Sequence, residues 1–137
     1  MLRHFAAFIF ILSLPALAAE VRRIPPAGIE MSEVDQKALE AGLRKLGEAM
    51  KGIAEHPLLP DVEIYHKAVR DSLKHREFQK PAEIKFAREQ LLIGLARAES
   101  LKKGEAPWTK EHGLVVRGFR SRIDGSVQPY GLVIPES

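Results

Sequence analysis

Asp124-Gly125, set between the apolar-rich runs Leu114–Ile123 and Ser126–Pro135, constrains the fold of this chain more than any other feature. Asp-Gly in that setting predicts a β-hairpin, because a type I′ turn needs φ > 0 at both central residues. A two-stranded hairpin is marginal alone and needs further strands or a helical layer to bury one face. No strand-like run follows Pro135. The expectation is a helical layer upstream and, beyond the hairpin, a larger body of which this chain is the front end.

The first residues read as an export signal. Arg3 and His4 form a short basic region, and Phe5–Leu14 is an apolar core of ten residues interrupted only by Ser13. Pro15 and Ala16-Leu17-Ala18 then supply the helix break and the small-x-small pattern that a signal peptidase reads. A membrane anchor is the alternative, but a span needs ~20 apolar residues. No cysteine follows, which excludes a lipid-anchored form. Cleavage near Ala18 predicts a periplasmic or extracellular protein without stable membrane insertion.

The remainder, residues 19–137, suffices for one small domain with a core. With no cysteine anywhere, such an exported domain must be held by apolar packing or by a larger partner, not by disulfides. The 21 Lys and Arg stand against 18 Asp and Glu, dispersed along the chain with no block of five like charges. That small surplus, despite a pI near 9.3, excludes a nucleic-acid-binding face, which needs clustering.

Residues 19–31, with Pro25-Pro26, lack periodicity and read as an extended leader. Ser32 offers an N-cap, with Glu33 and Asp35 in the first turn. Leu39, Leu43, Leu46, Met50 and Ile53 then step by 4, 3, 4, 3, predicting a helix from Glu33 to Glu55. Gly42, Gly47 and Gly52 weaken it by ~1 kcal/mol each, so it should pack closely along them. Asp61 is expected to cap a second helix over Val62–Phe78, with Val62, Tyr65, Ala68, Val69 and Leu73 facing inward. Pro81 starts a third, with Ile84, Ala87, Leu91, Leu92, Leu95 and Ala98 inward and Lys102-Lys103-Gly104 as its stop. Trp108, the only tryptophan, should plug the seam between helices and hairpin. The reading is α+β: a signal peptide at 1–18, a leader at 19–31, a helical layer at 32–106, then a loop and an antiparallel hairpin at 107–137. No internal repeat is present.

Few residues suggest chemistry. Glu63 and His66 share a helix face at i, i+3, but di-metal bundles need two such motifs and two further carboxylates. A solvated face with Glu63 paired to Lys67 is the simpler reading. His56, before a proline at a helix end, suits a structural contact with free carbonyls. His75 and His112 have no partner at ligand spacing. Ser126 lies in a hairpin turn, whereas a nucleophile elbow needs a strand-to-helix turn. Arg117, Arg120 and Arg122 suggest a strand edge protected by charge, and Pro129 implies a side of the second strand that is unpaired or bulged. No catalytic, metal-binding or cofactor-binding residue is assigned, and no cofactor is implied.

The run Asp124-Gly-Ser-Val-Gln-Pro-Tyr-Gly-Leu-Val-Ile-Pro135 resembles the opening strands of exported bacterial α/β-hydrolases of the prolyl-oligopeptidase-like group. Leu59–Val69 is similar to the helical leader of those proteins, and Pro107-Trp108-Thr109 to the segment before their hairpin. The resemblance spans roughly Leu59 to Pro135 and includes no catalytic motif. It implies that the hairpin is the start of an incomplete α/β-hydrolase sheet and that the chain is a non-catalytic N-terminal segment of a serine peptidase or esterase. The triad is then expected beyond the end of this chain, and the missing strands are its expected partner. A free-standing exported module that binds a protein through its hairpin edge is the alternative.

Overall fold

The computed structural model describes residues 27–136. The signal segment and most of the leader lie outside these residues. Three helices come first, α1 (Glu33–Lys51), α2 (Pro60–His75) and α3 (Pro81–Lys102). A single 3₁₀ turn at Pro107–Thr109 leads into β1 (Gly113–Arg120) and β2 (Val127–Ile134), which pair antiparallel. The α+β order of three helices followed by a hairpin is the one the sequence predicts. None of these helices is long and apolar enough to cross a membrane.

Ser32 caps α1 as expected, its Oγ accepting the Asp35 backbone N–H at 3.1 Å. The helix stops at Lys51, one turn short of Glu55, because Gly52 takes the C-cap and tight turns carry the chain to His56. Leu39, Leu46 and Ile53 are buried, with Leu43 and Met50 packed on the same core. Close helix contact occurs at Gly42, where a Cβ would lie 2.7 Å from Leu91 Cδ1. A second close contact, at Gly94 of α3, was not legible from the pattern. A Cβ there would meet Leu46 at 2.8 Å and Tyr65 at 3.0 Å.

Helix α2 ends at His75, short of Phe78, because Arg76 adopts a left-handed backbone (φ 55°) and turns the chain. Phe78 instead joins the core from the connection. On α2, Val62, Tyr65 and Val69 are buried, but so is Ile64, on the opposite flank, while Ala68 is exposed. Helix α2 is covered on two sides, by α1 and α3 on one and by the hairpin on the other.

The inward stripe of α3 is Ile84, Ala87, Leu91, Gly94, Ala98 and Leu101, a 3, 4, 3, 4, 3 progression. Leu92 falls off it and is 65% exposed. Glu83 closes the N-terminus by accepting from the Gln79 N–H at 2.6 Å and the Lys80 N–H at 3.3 Å.

The hairpin register runs without a slip from Gly113↔Ile134 to Arg120↔Val127. Pro129 therefore causes no bulge. Its connection is not the two-residue type I′ turn expected. The Ser121 N–H bonds the Ser126 carbonyl and the Gly125 N–H bonds the Ser121 carbonyl, leaving Arg122–Gly125 as a four-residue loop. Gly125 has φ +71°, but Arg76 is the only described non-glycine residue with positive φ. Asp124 instead uses its carboxylate, accepting from the Ser126 N–H (3.1 Å) and hydroxyl (2.8 Å).

Candidate functional site

The distinctive chemistry lies where the hairpin crosses the start of α2. Asp61, placed by the sequence at the N-cap, sits inside the first turn of α2 and is 1% exposed. Its carboxylate points away from the helix N–H groups. Oδ2 accepts from Trp108 Nε1 (2.9 Å) and Arg117 Nε (2.8 Å), and Oδ1 accepts from the Gly118 N–H (2.6 Å). A buried carboxylate is tolerable only when paired and hydrogen-bonded, and this one is both.

Arg97 of α3 completes the cluster. Its Nη1 donates to the Asp61 carbonyl (3.1 Å) and to the Val116 carbonyl (2.9 Å). The guanidinium is stacked between two rings, with Cζ 5.1 Å from the Tyr65 centroid and 4.8 Å from that of Trp108. Burial lowers the Arg97 pKa from its ordinary value and raises that of Tyr65. Trp108 does fill the seam between helices and hairpin, 3% exposed, with its N–H satisfied by Asp61. Gly118 permits the crossing, since a Cβ there would lie 2.1 Å from the Pro60 carbonyl oxygen.

Arg117 and Arg120 do not guard a free edge. Arg117 joins the Asp61 cluster, and Arg120 pairs with Glu63 on α2 while donating to the Gly125 carbonyl at 3.1 Å. Glu63 is thereby withdrawn from the expected pairing with Lys67, whose Nζ bonds the Val127 carbonyl at 2.8 Å. Arg122 is exposed in the loop. The Glu63–Arg120 pair is half exposed on the arginine side, so its contribution is about 0–1 kcal/mol.

The histidines are dispersed. His56 acts structurally but as an acceptor, its Nδ1 taking the Leu58 N–H at 3.1 Å. His66 is half-buried, and burial, reinforced by Arg70, lowers its pKa. His112 Nδ1 donates to the Pro135 carbonyl at 3.0 Å, and His75 is exposed at the end of α2. Among the described residues no three His, Cys, Asp or Glu side chains are grouped to hold a metal ion. The Ser126 hydroxyl is engaged with Asp124 and Gln128, not with a base.

Hydrogen-bond alternation separates the two outer edges of the hairpin. The Ser121–Ser126 bond sets the parity: Leu114, Val116, Gly118 and Arg120 point their main-chain groups away from β2. Val127, Pro129, Gly131 and Val133 point theirs away from β1. The Gly118 N–H on Asp61, the Val116 carbonyl on Arg97 and the Val127 carbonyl on Lys67 all agree with that parity. The β1 edge is thus held by side chains of α2 and α3. The β2 edge beyond Val127 faces no other strand among the described residues.

Comparison with protein-family models, with characterised proteins and with solved structures returns no match.

Proposed function

We propose that this chain is a non-catalytic N-terminal segment of an exported serine hydrolase of the prolyl-oligopeptidase-like group. In this reading the helical layer is a cradle that positions the first hairpin of the hydrolase sheet, and the triad belongs to polypeptide outside the residues described. One observation carries it: the hairpin has one edge fastened to helices and the other open, as the outermost pair of a continuing sheet requires. The likeness of Asp124–Pro135 to the opening strands of that group points the same way. The exposure of Leu114, Val116, Tyr130, Leu132 and Val133 fits a sheet that is covered on both faces once complete.

The test is to treat the exported fraction of producing cells with a biotinylated fluorophosphonate, which labels active serine hydrolases. Tryptic peptides from Glu33–Lys102 should be recovered within a labelled polypeptide far larger than 15.3 kDa. Recovery only in an unlabelled polypeptide of 15.3 kDa or less would overturn the proposal. That result would favour a free-standing exported module binding a protein partner through the same edge.

A further inference from the structure

The β2 edge is not uniformly available. Val127, at its start, has its outward carbonyl occupied by Lys67 Nζ at 2.8 Å. Pro129, the next outward residue, has no N–H to give. Pro135, at the far end, also lacks an N–H, and its carbonyl is taken by His112 Nδ1 at 3.0 Å. Between them, Gly131 and Val133 present an N–H and a carbonyl each, with the Pro129 carbonyl as one further acceptor.

We infer that an extended strand adds to β2 through a window confined to Gly131–Val133, and that this strand is uncharged there and apolar on both faces. The chemistry of the occupant follows from what flanks the window. From Val127 to Ile134 β2 carries no charge, so a charged side chain opposite it would find no counter-charge on the strand and would give up apolar contact with Val133, Tyr130 and Leu132. Leu114 and Val133 (73% and 81% exposed) stand on one face of the hairpin, and Phe119, Tyr130 and Leu132 on the other. Beside β2 an added strand therefore has Val133 as its neighbour on one face and Tyr130 and Leu132 on the other, side chains that an apolar strand matches on both faces. Gly131 has no side chain to lie beside a residue of the incoming strand on the Leu114 face. This inference rests on the reading above, in that the hydrolase body supplies the strand.

The probe is an N-acetylated, C-amidated hexapeptide of four aliphatic residues between terminal lysines, titrated into the ¹⁵N-labelled chain at millimolar concentration. Amide exchange at Gly131 and Val133 should slow about tenfold when the peptide is at ten times its Kd, with the inward amides of Tyr130 and Leu132 unchanged. Val133→Pro removes one outward donor without touching the ladder to β1, and should abolish the effect while leaving the other hairpin amides protected. A hexapeptide with a central aspartate should bind more weakly, by about tenfold or more. No slowing at those two amides, slowing spread evenly over β2, or equal binding of the aspartate peptide would overturn the inference. Concentration-dependent slowing without peptide would also overturn it, assigning the window to a second copy of this chain. The two proposals fail separately. A chain that ignores the peptide but is recovered in a labelled hydrolase loses the window alone, and one that binds it but is never so recovered loses the hydrolase alone.

Discussion

The two outer edges of the hairpin solve the same physical problem in opposite ways. Each presents main-chain donors and acceptors that must find partners or water. On β1 the partners are side chains: Asp61 takes the Gly118 N–H and Arg97 gives to the Val116 carbonyl. On β2 only the terminal carbonyls are engaged, by Lys67 and His112, and the middle stays open. Apolar burial helps to seat the hairpin, but at two residues alone. Val115 and Val127 are its only buried apolar residues, worth about 1.5–3 kcal/mol each, whereas Leu114, Val133 and Ile123 are largely exposed. The placement of the hairpin rests on that pair and on a polar cluster at one edge, which leaves the middle of the other edge open.

The contrast can be broken most sharply at Asp61. Asp61→Ala leaves Arg117, the Trp108 N–H and the Gly118 N–H without their shared acceptor, and should cost about 3–5 kcal/mol in urea denaturation. A loss below one kcal/mol would mean that the β1 edge is not held by this cluster. Next comes Gly118→Ala, which drives a Cβ into the Pro60 carbonyl and should cost about 1–3 kcal/mol. Its signature beyond stability is movement of β1 off α2, read as increased solvent exposure of Trp108 fluorescence. The smallest effect belongs to the open edge: Val133→Thr should change stability by no more than about 0.5 kcal/mol. A larger loss there would show that the β2 edge is already packed and would remove the asymmetry.

The architecture was legible in the sequence because it follows from local rules. Three apolar stripes at helical spacing and an Asp-Gly between strand-like runs are short-range patterns, and they determine element type and order. What differs is whatever depends on tertiary partners, together with the local details of the hairpin loop and of where α1 and α2 end. Asp61 after Pro60 has the look of an N-cap, but the pattern does not record that a strand 57 residues later brings an N–H to its carboxylate. Arg97 sits between two alanines on a helix and reads as solvated, yet it is buried between Tyr65 and Trp108. One hint is present: a lone tryptophan in a seam needs an acceptor for its N–H, though Glu105 and Glu111 are nearer to Trp108 in sequence than the Asp61 that fills the role. Leu92 was misplaced because it neighbours the true stripe member Leu91, so hydrophobicity alone could not choose between them.

The clamp at β1 and the Lys67 contact share a property with a consequence for how this protein can change over time. Asp61, Arg97 and Lys67 grip the hairpin by its backbone, at Gly118 N, Val116 O and Val127 O. Main-chain atoms are the same whatever side chain they carry. A residue such as Val116, gripped only through its carbonyl, can therefore drift, retuning the surface of the hairpin, without loosening its seat. The freedom is asymmetric, because the gripping side chains and the absent one at Gly118 have no substitutes. Lineages of this fold should vary in what the hairpin displays and hold constant the few helix residues that carry it.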